Sequence, residues 1–405
     1  MTSSVIKENV PMLLMGIVLP FYIAAKMESG NYDLLSFPTN WTPKLDLYVS
    51  VVYIAWLLGQ WILYMLDVGD VIPGPVLRQG KRLNYRLNGF FALVVNIIVF
   101  LFATLCGFRV AVIFEKITEL VTIACLIQFL ISFILLCTQK TENLPIYNIN
   151  PVGNRGNILE DWLVGRSISP RLGFLDLKFV FARTGMIALA FFNFSVMAKY
   201  YEDNKTTNYT LLLAIGMALV YTADNLYHES FIVYIREMSR EGCGITLLVY
   251  VIGIPIEYGL VVSYVATTKH ELPLYCLLLI AVIFLLGYWT YRSSNNEKSH
   301  YRANPDDPIF KKYETITTAS DKHLLVSGWW GMSRHPNYLG DIVMHVAMSF
   351  AAGFTNFLPH LNATLITSML LHRERMDCDE CKDKYGEDWE KYCHRVKWRV
   401  IPYIY

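Results

Sequence analysis

The chain has 405 residues, of which 54% are hydrophobic, 14% aromatic and only 17% charged, with a net charge of +1 and a mean hydropathy of +0.35. Soluble domains carry about a quarter charged residues, so these values exclude an ordinary soluble protein, a disordered chain and a disulfide scaffold. The small net charge also excludes nucleic-acid binding driven by bulk charge.

A helix needs about 20 mostly apolar residues to cross the hydrocarbon core, and backbone polar groups must pair within the segment. Runs that meet this need fall near 10–25, 46–66, 89–107, 119–138, 184–200, 209–233, 243–266, 272–291, 338–357 and 358–372. They predict an all-α, polytopic membrane protein with about ten transmembrane helices. The first run lacks the cleavage pattern of a signal peptide and reads as a retained helix. The last is short and shades into a charged tail. The long polar loop before residue 184 predicts an N-terminal part, 1–183, with helices 1–4 and that loop. The C-terminal part, 184–405, then holds helices 5–10, the binding sites and the tail.

With that topology, 28 of the 35 Lys and Arg residues fall on the side that holds both termini. The asymmetry predicts cytoplasmic termini. The eight cysteines lie mostly in apolar runs or on that same side, which suits free thiols. Cys378 and Cys381 form a lone C-x-x-C pair, too little for a zinc site, so no metal is expected. Two sequons, at Asn204 and Asn208, fall on the opposite side.

Three polar stretches stand out in chain order. Residues 67–88 carry Pro73-Gly74-Pro75 followed by Arg78, Lys81, Arg82 and Arg86, a turn with a basic rim. Residues 155–183 form a long loop that mixes charge with aromatics and includes Arg166, Arg171, Asp176 and Lys178. The last quarter is the densest: 16 of the 69 charged residues lie within 372–399, interleaved with Tyr385, Trp389 and Tyr392. Cations neutralise phosphates and aromatic faces stack on bases, so this pattern suits a polyanionic, ring-bearing cofactor. A solvated amphipathic tail has the same composition. No G-x-G-x-x-G or P-loop is present, so any nucleotide must be held by side chains and helix ends.

Several motifs occur together: Pro73-Gly-Pro with Asn84-Tyr-Arg-Leu-Asn-Gly89, Gly165-Arg-Ser-Ile-Ser-Pro-Arg171 with Asp176-Leu-Lys178, Trp329-Trp-Gly with Arg334-His-Pro-Asn-Tyr-Leu-Gly-Asp341, and Lys384-Tyr-Gly with Trp389 and the closing Pro-Tyr-Ile-Tyr. Through them the chain resembles, over most of its length, the sterol reductases that include Δ14-sterol reductase, 7-dehydrocholesterol reductase and the membrane part of lamin B receptor. The resemblance implies ten helices and NADPH-dependent reduction of a sterol ring double bond, closest to the Δ14 reaction. It also implies an NADPH lining of Lys298, Arg302, Leu325, Trp330, Arg334, Asn337, Tyr338, Arg373, Asp377, Cys381, Lys384, Tyr385 and Tyr392. In that lining Lys298 and Arg302 meet phosphates, and Asn337 and Asp377 orient polar groups.

An isolated alkene accepts hydride poorly, so the reaction needs a proton donor. Polar groups inside helices are the candidates. Tyr258 is the first choice because the matching position in the resembled family carries a Tyr. Glu257 is its neighbouring carboxyl, and Tyr227 belongs to a cluster with Asp224, His228 and Glu229. An interhelical hydrogen bond is the other role open to each of the acids.

The chain departs from the family pattern where relatives read Asp-Gly-Phe-Gly. It has Glu241-Gly242-Cys243-Gly244, preceded by Arg240 rather than His, and Gly253 where relatives often carry an acid. Reduction of the Δ7 bond, an S-adenosylmethionine-dependent membrane methyltransferase and a non-catalytic sterol-binding scaffold are the other readings. The expected partners are a sterol from the lipid phase and membrane lipids, with no nucleic acid. The expected membrane is the endoplasmic reticulum or a bacterial inner membrane, and the oligomeric state is left open.

Overall fold

Each long apolar run becomes a helix in the computed structural model, which describes residues 4–36 and 42–405. The long helices are α1 (Ser4–Ser29), α2 (Leu47–Met65), α3 (Gly89–Leu105), α4 (Ile117–Thr138), α5 (Leu177–Asn204), α6 (Tyr209–Tyr227), α7 (Ile245–Tyr258), α8 (Leu260–Thr268), α9 (Leu274–Ala303), α10 (Pro336–Phe350), α11 (Leu361–Tyr385) and α12 (Glu387–Arg395). Among the described residues, seven helical stretches are long and apolar enough to cross a membrane: 5–29, 47–65, 117–138, 177–204, 209–227, 245–268 and 274–303. The protein is therefore mostly helical and multi-pass. Among the described residues, three antiparallel pairs supplement the helices: β1 (Asp70–Pro73) with β2 (Asn84–Leu87), β3 (Arg171–Leu172) with β4 (Leu175–Asp176), and β5 (Thr315–Thr317) with β6 (His323–Leu325).

Helix boundaries differ from the apolar runs where polar caps and pairs override composition. Asp176 is fully buried and caps α5 by accepting from the Phe179 N–H at 3.1 Å. The helix therefore starts before the apolar run and takes Lys178 and Arg183 into its first turns. α6 ends at Tyr227, so Glu229 lies beyond it rather than inside a span. α9 continues past residue 291 to Ala303 and carries Lys298 and Arg302 on a helix rather than a loop. The tenth run opens α11, which goes on unbroken through the charged segment to Tyr385. The seventh run divides after Tyr258, where Pro255 lies in the last turn of α7 and Gly259 packs against Phe192.

The chain forms two compact units, residues 1–270 and 271–405. In the first, α5 is the central helix, packed against α2, α6, α7 and α8, while α1 packs along α7. Buried charges join its polar segments. Arg183 donates to Asn88 Oδ1 at 2.6 Å and pairs with Glu229 at 3.2 Å, and Glu229 also accepts from the Gly89 N–H at 2.7 Å. Lys178 donates to the carbonyls of Glu237 and Glu241. Gly165 and Gly244 allow their two loops to touch: a Cβ on Gly244 would stand 2.2 Å from the Leu163 carbonyl oxygen. Cys243, between Gly242 and Gly244, is buried there and donates its N–H to the Ser167 carbonyl at 2.9 Å.

In the second unit α9 and α10 form the main pair. They cross so closely that a Cβ on Gly340 would meet the Tyr291 nitrogen at 2.4 Å, and one on Gly287 the Met344 nitrogen at 2.9 Å. Small residues give helices this approach in a membrane, where dispersion between backbones replaces the hydrophobic effect. The crossing brings the polar end of α9 to the start of α10.

Candidate functional site

At that junction Trp330 is buried, and its indole N–H donates to the Ser294 carbonyl at 2.9 Å. The Lys298 ammonium sits 3.5 Å from the centre of the Trp330 ring. A cation over an indole face is attracted by the ring quadrupole, so this contact fixes both groups. Tyr392 closes the other side, donating to the Trp330 carbonyl at 3.4 Å and stacking on Trp389 with centroids 4.8 Å apart. Burial raises the Tyr392 phenol well above its ordinary range, so it remains a neutral donor.

The first turn of α10 supplies the polar groups. Asn337 donates to Asn295 Oδ1 at 3.2 Å, while its own Oδ1 is buried without a hydrogen-bond partner. Tyr338 donates to Asp377 on α11 at 2.9 Å. His335 stacks on Tyr338, with centroids 4.6 Å apart and planes 15° off parallel. Burial, with Lys298 and Arg334 nearby, pushes the His335 pKa down to about 3, so its ring is neutral.

Of the residues named from sequence, Lys298, Trp330 and Tyr392 are thus in contact, Tyr338 pairs with Asp377, and Asn337 pairs with Asn295. Arg302 lies one turn beyond Lys298 and is exposed. Cys381 and Tyr385 pack at the edge of the buried Trp389, Tyr392 and Val396 cluster, and burial pushes the Cys381 thiol up to about 11. Lys384 is exposed, its ammonium 4.8 Å from the Tyr385 ring centre. Leu325 is buried in β6, and Arg373 is half-buried on α11. Arg334 spends its guanidinium on carbonyls of the C-terminal segment, at 2.9 Å to Val396 and 3.3 Å to Cys393 and Lys397.

Sequence reasoning passed over His335, Asn295 and Glu374. Glu374 is fully buried on α11, paired with Arg399 at 3.1 Å and accepting from the Tyr405 hydroxyl at 3.3 Å. It holds the chain's end against that helix. The closing Arg399 and Tyr405 were the available signal, since a buried acid requires such partners.

The proton-donor candidates belong to the first unit. Tyr258 ends α7 with its ring 5.6 Å from that of Tyr221. Glu257 is half-buried, and its Oε1 would stand 2.8 Å from a Cβ on Gly253. The Glu257 carboxyl therefore uses the space that a side chain at 253 would fill. Tyr227 is exposed and packs against Phe90, with centroids 5.5 Å apart. Asp224 Oδ1 pairs with His228 Nδ1 at 3.2 Å. Among the described residues no group of three or more His, Cys, Asp or Glu could hold a metal ion.

Comparison with known proteins agrees with the resemblance read from the motifs. Residues 10–405 match the model of the ergosterol biosynthesis ERG4/ERG24 family. The chain is 34% identical over 401 residues to the mouse protein named Delta(14)-sterol reductase TM7SF2, covering 96% of this chain and 94% of that one. It is 33% identical to the Delta(14)-sterol reductase of the bacterium Methylotuvimicrobium alcaliphilum, over 87% of this chain and 82% of the relative. To the Delta(14)-sterol reductase erg24 of Schizosaccharomyces pombe it is 32% identical, over 93% and 89%. The chain belongs to the ergosterol biosynthesis ERG4/ERG24 family.

Proposed function

We propose that this protein is a sterol reductase that uses NADPH to reduce a ring double bond, the Δ14 bond. The observation that carries the reading is near-full-length similarity to proteins named Delta(14)-sterol reductase from a mammal, a fungus and a bacterium. The constellation at the α9–α10 junction supports the cofactor assignment. It offers two cations one turn apart, aromatic faces, and in Asn337 Oδ1 a buried acceptor with no partner of its own. A buried orphan acceptor costs free energy unless a ligand donates to it.

Lys298 and Arg302 neutralise phosphate charge in this reading. Trp330 and Tyr392 give the cofactor's rings a face, and Asn337 accepts from an amide or a hydroxyl. Asp377, oriented by Tyr338, accepts from a hydroxyl with its remaining capacity. NADPH when bound supplies hydride. The chain must then supply a proton to the other alkene carbon, and Tyr258 is the proposed donor. Glu257 is the neighbouring carboxyl, over the glycine that stands where relatives often carry an acid. Tyr227 is the second choice, being exposed at the end of α6.

We also propose ten membrane passes: the seven long stretches plus α3, α10 and the apolar half of α11. Both termini then lie on the basic, cytoplasmic face of an endoplasmic reticulum or bacterial inner membrane. A sterol, nearly all hydrocarbon, is expected to enter from the lipid phase.

The test is incubation of the purified protein with NADPH and a panel of 8,14-diene and 5,7-diene sterols, read by mass and retention time. Reduction of the 8,14-diene is the expected result. Reduction of only the 5,7-diene moves the assignment to the Δ7 bond, and reduction of neither overturns the reading. Tyr258→Phe is expected to slow turnover while NADPH binding is kept; normal turnover removes Tyr258 from the role.

A further inference from the structure

The first unit holds an apolar cavity of about 390 Å³, walled by α2, α3, α4, α5 and α7. It includes none of the candidate cofactor or proton-donor residues. Tyr48, Val52 and Val99 on its wall are exposed on the outer surface of the helices, which in a membrane is the lipid-facing surface. A molecule dissolved in the bilayer therefore meets this cavity directly between α2 and α3.

Hydrogen bonding separates the polar groups on the wall. Asn96 is spent within the protein: its Oδ1 accepts from Trp56 at 3.0 Å and Gln60 at 2.8 Å, and its amide donates to Gln60 Oε1 and the Ala92 carbonyl. Thr184 donates to the Val180 carbonyl at 2.7 Å. Gln128 on α4 differs. It is 3% exposed, it lines the cavity, and its Oε1 has no hydrogen-bond partner. An unpaired amide oxygen in hydrocarbon is costly and is satisfied by a ligand that brings one donor.

Size and shape narrow the ligand. An apolar cavity of about 150 Å³ takes a single benzene ring, and drug-sized sites start near 300 Å³. This one suits a body of several rings. Phe100 and Phe191 stack with centroids 4.7 Å apart and Trp56 meets Phe191 edge-on, making an aromatic wall in a lining that also includes the small residues Ala124 and Ala188. A rigid fused-ring body loses little conformational entropy on binding there, whereas an acyl chain must be ordered bond by bond.

We propose that this cavity is a lipid-binding site for a neutral fused-ring alcohol of the sterol class, with its hydroxyl donating to Gln128 Oε1. The site is separate from the reductase chemistry and does not rest on it. Its occupant links the bilayer's sterol content to the packing of α2, α4 and α5, because it fills the space those helices share.

The test uses the full-length protein in detergent with a photoreactive cholesterol analogue that keeps its 3-hydroxyl, the 3-methyl ether of that analogue, and a photoreactive straight-chain alcohol. Labelled residues are mapped by mass spectrometry. Saturable labelling within 47–65, 89–105, 117–138, 177–204 or 245–258 is expected, roughly tenfold weaker for the ether, which cannot donate. Gln128→Leu should abolish the difference between the two ring probes, and Ala188→Phe should suppress both by filling the cavity. Gln128→Leu nearly conserves volume, so it remains informative if Ala188→Phe does not fold. Absence of saturable labelling in these helices, equal labelling there by alcohol and ether in the unsubstituted protein, or preference for the straight-chain alcohol would overturn the proposal. Turnover of the 8,14-diene on the same preparations is a separate readout: its absence with labelling intact counts against the reductase reading alone.

Discussion

Arg183 in the first unit and Lys298 in the second are both long cations on the polar part of an apolar helix, yet their surroundings differ in kind. Arg183 is buried, with its guanidinium bonded to Asn88, the Arg86 carbonyl and Glu229, and lying over the Tyr64 ring. Lys298 rests on the Trp330 face, with exposed Arg302 one turn away. The contrast teaches that charge in a membrane protein is read through its partners. A cation matched by a carboxylate and carbonyls ties segments together, and one resting on a ring face retains donors for a ligand.

The largest expected effect tests the architectural side of this contrast. Arg183→Ala leaves Glu229 buried beside Gly89 without its counter-charge, a change that costs about 3–5 kcal/mol in comparable buried pairs. Yield and thermal midpoint in detergent are expected to fall sharply, and an unchanged midpoint would show that the pair is not structural. Next comes Lys298→Met, which conserves the stem and removes the charge. It is expected to weaken NADPH binding by about 2–3 kcal/mol, on the order of a hundredfold, with the thermal midpoint of the free protein nearly unchanged. Titration of the cofactor by fluorescence checks it; a destabilised protein with normal affinity would move Lys298 to the structural class.

His335 sharpens the same contrast through pH. Its folded pKa is pushed down to about 3 from a usual value near 6.5. Below pH 6.5 the unfolded chain takes up a proton that the folded ring refuses, so its contribution is complete above that pH and declines toward pH 3. Between pH 7 and pH 5 the loss is on the order of 2 kcal/mol, and His335→Gln should flatten that part of the stability profile. The smallest effect is expected for Arg302→Ala. Its exposed guanidinium contributes about 1 kcal/mol to phosphate binding. Competition assays should show a several-fold loss for NADPH, and a loss in stability instead would remove Arg302 from the phosphate role.

Much of the fold was legible because hydrophobic runs are local. α2, α3 and α4 begin and end within two residues of the runs that announced them. The differing boundaries share one cause: Asp176, Lys178, Arg183 and Glu229 count as polar in composition, yet each is buried with partners, Asp176 with nearby Arg171 and the other three with groups distant in sequence. At the candidate site, motif resemblance named Lys298, Trp330 and Tyr392, which are in contact, Tyr338 and Asp377, which are paired, and Asn337, which lies against Asn295. It also named Arg334, whose guanidinium is engaged by the C-terminal segment. Only the contact between residues some sixty positions apart distinguishes that clamp from a free cation.

By itself the sequence determined that this is a helical, multi-pass membrane protein and, through motifs in order, the family it belongs to. Both are properties of near neighbours along the chain, because hydropathy acts over about 20 residues and a motif over fewer. Tertiary structure alone decided which charges are satisfied, how Gly287 and Gly340 draw α9 and α10 together, and that Gln128 faces an apolar cavity with a carbonyl oxygen unpaired. Those outcomes depend on where helices meet, and desolvation and hydrogen bonding are settled by the partners that such a meeting supplies.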